Sequence, residues 1–309
     1  MASAGGHITE ALRLEESLGV HLDSLWVTFE TPQTASLLHS RRVLFVPYVA
    51  PRDVRGALSA GRQIAQAVSR ERFDACLSTG AAVAGFGVPW CALTGIPTFY
   101  VESLARIDGP SATGQLMGLA PRVRTLSQRA GWASKRWVYE GSLLDGWRVC
   151  HRAGETITRR IFVTLGTIRP YRFDRAIDTV LASLRPGDEV VWQLGATSRD
   201  RLPGRTYTEM SHADLAHELA AADVVVTHAG VGSVLQAHEA GKVPVLAVRS
   251  AAHGEHVDEH QREIAHDLTA RGLALPLILG EPNGNTFDHA RALQIIPTGD
   301  TARNGQTCP

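Results

Sequence analysis

The chain has no two cysteines close together in sequence. Its four, Cys76, Cys91, Cys150 and Cys308, are scattered and form no CxxC pair. That spacing excludes a structural zinc ribbon, argues against a disulfide framework and points to a reducing compartment. No long uninterrupted apolar run occurs, so nothing reads as a membrane span, which needs about 20 such residues. No charged stretch followed by a short apolar core opens the sequence, so no secretory signal is read in it. Net charge is missing too: 31 basic residues balance 31 acidic ones. The global electrostatic footprint of a nucleic-acid binder is therefore absent. No short-period repeat, no HExxH and no strand followed by GxGxxG appears in the expected place.

What is present begins with an uneven distribution of that balanced charge. Residues 104–160 carry ten Lys/Arg against four Asp/Glu, and residues 211–270 carry three against nine. Short apolar runs alternate with helical patterns throughout. The strand-like runs are 25–29, 43–46, 75–77, 98–101, 123–126 and 137–139, then 161–165, 190–194, 224–227, 243–248 and 273–275. Helical patterns over 54–68, 175–184 and 213–222 separate several of them. Strict alternation of this kind predicts parallel sheets covered by helices on both faces, an α/β class. At 309 residues the chain suits two domains of about 150 residues each. The expected division is 1–156 and 157–296, with a disordered tail over 297–309.

The stretch from Val224 to Gln261 carries the most chemistry. Val224-Val225-Val226 leads through Thr227, His228 and Ala229 to Gly230, Gly232 and Ser233, after which a helical pattern runs to Gly241. Strand, glycine turn and helix place free backbone N–H groups and a positive helix end at one point, which suits a diphosphate. A second apolar run, 243–248, delivers Glu255, His256, Asp258, His260 and Gln261. Glu255, Asp258 and Gln261 are expected to bond ribose or sugar hydroxyls. The pair His256 and His260, with Glu259 between them, fits the inverted zinc pattern HxxEH, but no third ligand has suitable spacing, so no metal site is expected.

The start of the chain has a similar turn, Ser3-Ala4-Gly5-Gly6-His7, opening a helical pattern. Such a turn ordinarily follows a buried strand. Only Met1 and Ala2 precede it, so the first strand of this half is expected to be missing from the given chain and encoded upstream.

With these segments in view, the chain resembles the two-subunit UDP-N-acetylglucosamine transferases of dolichol- and polyprenyl-linked sugar synthesis, with both subunits fused. It is family-28-like in the same sense. The acceptor subunit is matched by SAGGHITEALRL (3–14), WVTFETPQT (26–34), LSTGAAVA (77–84) and FYVESLARIDGPSATGQL (99–116). The donor subunit is matched by IFVTLGT (161–167), the stretch 210–245 and EHVDEHQREIA (255–265).

The resemblance implies a GT-B fold, two Rossmann-like domains facing across a cleft. It also implies an inverting sugar transfer from a UDP-sugar to a lipid-linked or other glycan acceptor, with no cofactor and no metal. Gly230, Gly232 and Ser233 would hold the diphosphate, Gly166 and Thr167 would line the other side, and His228 would touch the donor. Gly5, Gly6, Ser78, Thr79 and Gly80 would form the acceptor side. His7 is a candidate general base, since its ordinary pKa lies near neutrality, and Glu102 and Asp108 are rival carboxylates. Where the family commonly has a glutamate gripping the ribose, this chain has Gln236. The expected location is cytoplasmic, with peripheral contact to the inner membrane face through Arg122, Arg124, Arg129, Lys135 and Arg136 beside Trp132 and Trp137. A UDP-sugar 2-epimerase of similar fold and a non-catalytic partner subunit remain as alternatives.

Overall fold

The computed structural model describes residues 1–49, 54–80, 83–152, 159–167, 169–256 and 260–298. The chain divides into two compact units, Met1–Leu143 and Leu144–Pro309, and not at the expected residue 156.

In the N-terminal unit the order is α1 (Gly6–Leu18), β1 (Leu25–Phe29), α2 (Pro32–Leu37), β2 (Arg42–Val46), α3 (Val54–Val68), β3 (Cys76–Ser78), α4 (Ala84–Leu93), β4 (Thr98–Val101), α5 (Ala112–Leu119), β5 (Val123–Ser127) and β6 (Trp137–Tyr139). β1 pairs with β2, and β3, β4, β5 and β6 form a second sheet, every pair parallel. Met1 and Ala2 lie between the two sheets. The Ala2 amide donates to Val27 O (3.1 Å), the Met1 ammonium donates to Leu77 O (2.7 Å), and Ala2 bridges Gly80 in parallel. These two residues therefore occupy the position that the expected strand would fill.

Local signals start and stop the helices. At α2, Thr31 and Thr34 form a reciprocal capping box around Pro32, which satisfies amides that the first turn leaves open. At α5, the Ser111 side chain accepts from the Gly114 amide. α4 is apolar almost all round (AGFGVPWCAL), yet Trp90 and Leu93 are 43% and 68% exposed.

The C-terminal unit runs β7 (Trp147–His151), β8 (Arg160–Thr164), α6 (Asp174–Ser183), β9 (Glu189–Gln193), β10 (Arg205–Tyr207), α7 (His212–Ala221), β11 (Val224–His228), α8 (Val231–Glu239), β12 (Val245–Ala247), α9 (His260–Ala270), β13 (Leu275–Pro276), α10 (Gly284–Arg291) and β14 (Leu293–Pro297). β7 pairs antiparallel with β14, so Trp147–His151 belong to this unit and not to the N-terminal one. That pairing also places Pro297, the first residue of the expected tail, in a strand. Residues 299–309 lie outside the described ones.

The main sheet has the order β10-β9-β8-β11-β12-β13, all parallel. Period-two alternation feeds two cores. Ile161, Val163, Val224 and Val226 face one side with Phe173, Ile177, Trp192 and Phe287. Phe162 and Val225 face the other with Val191, Leu215 and Leu219. A strand buried on both faces must be apolar at consecutive positions, which is why β8 and β11 stood out in the sequence. Cys76 and Cys91 are free, buried thiols, and Cys308 lies outside the described residues.

Candidate functional site

Strand order alone locates the first site. From β8 the chain moves outward through β9 to β10, then returns to the other side of β8 as β11 and continues to β12 and β13. The direction reverses between β8 and β11. In open parallel sheets, a crevice forms at such a switch point beyond the carboxyl ends of the strands. Here those ends deliver Leu165, Gly166 and Thr167 from β8, and His228, Ala229 and Gly230 from β11.

α8 begins directly in this crevice, with Gly230 as N-cap and no side-chain cap. Within the helix, Val234 is the first residue whose amide donates back, to Gly230 O (3.0 Å). The amides of Val231, Gly232 and Ser233 are thus the open donors of the first turn. Gly232 and Ser233 are half-buried, and Cβ atoms in a helix lean toward its N-terminus. Glycine at this position leaves the approach to those amides clear.

The other two glycines have a different reason. A Cβ on Gly230 would lie 2.3 Å from His228 Nε2, and one on Gly166, whose φ is +75°, would lie 2.6 Å from His228 Cε1. The imidazole fills the space over both, so these positions accommodate His228 as well as any ligand. Burial first, and the nearby Arg249 charge second, hold the His228 pKa down to about 3. The ring is therefore neutral at pH 7.

The polar cluster after β12 is placed otherwise than expected. Glu255 is buried, and its carboxylate accepts from Arg175 Nε (2.8 Å) and Nη2 (2.7 Å) and from the Ser250 amide (3.1 Å). Gln261 Oε1 accepts from the Arg249 amide at 3.3 Å. Both side chains brace the end of β12, so their main acceptor atoms are engaged within the protein. Asp258 lies outside the described residues. Gln236 is buried on α8, and Thr167 is exposed at the rim. Among the described residues, no group of three His, Cys, Asp or Glu could hold a metal ion.

The N-terminal unit has its own cavity, about 240 Å³, lined by His7, Glu102, Ser103, Arg106, Ser111 and Thr113 among others. Two turns meet at His7, which lines it. The α1 turn carries Gly5 as N-cap at φ +82° and Gly6 as the first helical residue. The β3 turn carries Ser78, Thr79 and Gly80. They are tied together: His7 Nδ1 donates to Thr79 O (2.8 Å) and Thr79 Oγ1 donates to His7 O (2.7 Å). Ser78 Oγ accepts from the Gly80 amide (3.2 Å). Gly80, at φ +113°, sits where a Cβ would lie 2.9 Å from the Tyr100 hydroxyl.

A carbonyl can only accept, so the His7 proton sits on Nδ1 and the lone pair on Nε2. Burial lowers the His7 pKa, against the Thr79 hydrogen bond, and the ring is neutral at pH 7. Neutral imidazole with a free lone pair is the form that accepts a proton. Glu102 lines the same cavity but is filled with donors: the Ser111 amide (2.9 Å) and hydroxyl (3.1 Å), and the Ser103 amide (3.3 Å). Its pKa is raised, chiefly by desolvation. Asp108 is exposed on the surface and does not line the cavity. A wider depression of about 350 Å³ at the ends of β1 and β2 holds neither histidine nor buried carboxylate.

Glu10 was not singled out by the sequence, although a carboxylate on the apolar stripe between Ile8 and Ala11 was a usable signal. It is wholly buried and accepts from Ser103 Oγ (2.7 Å), Gln128 Nε2 (3.2 Å) and the Leu104 amide (3.4 Å). Desolvation, against those hydrogen bonds, raises its pKa to about 8, from 4.5 for an unperturbed carboxyl. The folded state therefore holds this proton more tightly than the unfolded chain does. The resulting stability is complete below about 4.5 and is lost as pH rises through about 8. Glu10→Gln mimics the protonated form, so thermal midpoints of the variant should fall less between those pH values. Parallel pH profiles for the two proteins would show that Glu10 does not titrate in this window.

Of the expected basic and indole surface, Arg122, Arg124 and Lys135 are exposed. Arg129 and Trp137 are buried, and Arg136 donates to the carbonyls of Met117, Gly118, Ala120 and Val123. It closes the end of α5. Trp132 packs edge-on against Trp137 with ring centroids 5.2 Å apart. On α4 and α5 the large exposed apolar side chains are Trp90, Leu93, Leu116 and Leu119. Among the described residues, no helix is long and apolar enough to cross a membrane.

Comparison with known proteins adds to this geometry. Residues 160–276 match the glycosyltransferase family 28 C-terminal domain. Over 67 residues, the chain is 45% identical to a UDP-N-acetylglucosamine transferase subunit, ALG13, from Yarrowia lipolytica. That match covers 22% of this chain and 30% of the relative, so this chain spans under a third of that relative's length. Among solved structures, MurG of Acinetobacter baumannii is similar over 94% of this chain and 87% of its own, with a TM-score of 0.57 at 20% identity. A putative UDP-N-acetylglucosamine 2-epimerase from Listeria monocytogenes is similar over 93% of each chain, with a TM-score of 0.55 at 13% identity. The fold is that of the GT-B glycosyltransferases.

Proposed function

We propose that the chain, whose residues 160–276 match the glycosyltransferase family 28 C-terminal domain, is a UDP-sugar-dependent glycosyltransferase whose C-terminal unit binds the donor. The observation that carries this reading is the uncapped N-terminus of α8 at the switch point of the sheet. Three open amides and the positive helix end suit a diphosphate both in the ground state and as it leaves. Preorganised donors of this kind stabilise the developing charge without a metal ion. N-acetylglucosamine is the proposed sugar, on the strength of the ALG13 likeness.

The cavity of the N-terminal unit is the proposed acceptor site. His7 Nε2 takes the proton from the attacking hydroxyl. Arg106 and the N-terminal ends of α1 and α5 favour an acceptor that carries phosphate. A polyprenyl-diphosphate-linked sugar combines a hydroxyl with that charge. The exposed apolar residues of α4 and α5 would let the protein rest on the membrane holding such an acceptor.

The test is UDP release from a panel of UDP-sugars, with polyprenyl-diphosphate-sugar acceptors offered free and in anionic vesicles. We expect UDP release that depends on acceptor and rises with vesicles. Sugar interconversion without any acceptor would favour the epimerase alternative, and inertness toward every pair would favour a non-catalytic partner subunit.

A further inference from the structure

Arg249, two residues past β12, is wholly buried, and its guanidinium meets carbonyls rather than carboxylates. Nη2 donates to Leu165 O (2.6 Å), and Nη1 donates to Glu255 O (2.8 Å) and Tyr171 O (3.1 Å). Nε has no hydrogen-bond partner, and the Phe173 ring lies 4.8 Å from the guanidinium carbon. The carboxylate whose charge bears on it, Glu255, is held in a two-pronged pair by Arg175. Glu255 therefore offsets the Arg249 charge only in part. Burying a cation without its own counter-ion is costly, and desolvation pulls the Arg249 pKa down to about 10. The group is still positive at neutral pH.

Its position gives that charge a use. Leu165 immediately precedes Gly166 at the β8 side of the crevice. On the β11 side the charge is felt by His228, whose pKa it helps to depress. His228 is neutral, so the fixed positive charge behind the crevice comes from Arg249.

We propose that Arg249 is a positioning residue for the donor. It ties together the segments carrying Leu165, Tyr171 and Glu255, and it projects a largely unneutralised positive charge onto the diphosphate at the α8 N-terminus. This role rests on the donor reading above. Because UDP carries more negative charge than a UDP-sugar, the same charge favours departure of the leaving group. It acts through the low-dielectric protein interior, where a charge reaches further than across water.

The test separates a charge from a brace by grading the ligand. Affinities for UDP, UMP and uridine are measured by calorimetry for the unaltered protein, for Arg249→Gln, which keeps N–H donors for the carbonyls, and for Arg249→Met. Loss of one buried charge is expected to weaken UDP by about ten- to a hundredfold, UMP less, and uridine hardly at all. Arg249→Lys, which keeps the charge, is expected to retain the preference for UDP over uridine. Equal weakening of all three ligands by the folded Gln or Met variant would overturn the electrostatic role and leave only a brace.

A second measurement needs no variant. In the unaltered protein the preference for UDP over uridine should persist between about 0.05 and 0.5 M salt, because a buried charge is screened far less than an exposed one. Collapse of that preference would assign it to exposed side chains and overturn the proposal. Failure of the unaltered, folded protein to bind UDP at all would instead overturn the donor reading, and this role with it.

Discussion

Replacing Gly232 with valine is expected to abolish UDP binding while leaving the protein folded. Gly232 is the second residue of α8 and half-buried. Valine has a better helix propensity than glycine, so α8 itself should tolerate the change. The branched side chain would lean toward the N-terminus of the helix and stand over the open amides of Val231, Gly232 and Ser233. A diphosphate would lose its close approach to those donors, and each charge-assisted hydrogen bond is worth about 1.5–3 kcal/mol. Two lost bonds amount to a fall in affinity of a hundredfold or more. Calorimetric titration with UDP, beside a thermal melt, checks this. A folded Gly232→Val protein with unchanged UDP affinity would remove the diphosphate from the α8 N-terminus.

His7→Ala should act differently, with its effect on turnover and little on donor affinity. His7 belongs to the N-terminal unit and the donor crevice to the C-terminal one, so the ground-state donor complex should survive. If Nε2 takes the acceptor proton, its removal costs on the order of a hundredfold to ten-thousandfold in rate. The measurement is transfer rate at saturating donor and acceptor, with donor affinity measured separately. A loss confined to acceptor KM would make His7 an acceptor-binding group. Near-normal transfer would take His7 out of the mechanism and leave Glu102 as the remaining carboxylate in the cavity. Alanine also deletes the bond to Thr79 O that pins α1 to the β3 turn, so a melt must accompany the kinetics.

The sequence was legible wherever one physical signal dominated. β8 and β11 lie between two cores, so their residues are continuously apolar, and both were found to within a residue. The α3, α6 and α7 patterns were found with the same accuracy, because an amphipathic face repeats at the helical period. β10 was missed since all three of its residues are exposed, as befits an edge strand with one neighbour. β7 and β14 were missed because they pair with each other across more than 140 positions and carry mixed burial. That omission alone shifted the expected domain boundary.

The site was legible as motifs and not as contacts. The glycine turn after β11 was visible in sequence, because a strand, a small turn and a helix in that order place open amides at a strand end, and α8 does begin there without a side-chain cap. His7 was likewise visible at its turn. Sequence could not show that Glu255 spends its carboxylate on Arg175, 80 positions away, or that His228 fills the space over Gly166 and Gly230. Nor could it show that Arg249 is buried among carbonyls, or that Glu10 is buried against Ser103 and Gln128.

By itself the sequence determined the α/β class, two units, the strand-turn-helix that can hold a diphosphate, and the absence of a long apolar segment. These follow from local periodicity and from the few backbone shapes that glycine turns allow. Only the tertiary structure decided which polar groups stay open for a ligand and which are consumed within the protein. It also decided which ionisable groups are pushed from their usual pKa. Both depend on burial and on partners brought from distant parts of the chain, and desolvation is a property of the folded surroundings rather than of the residue.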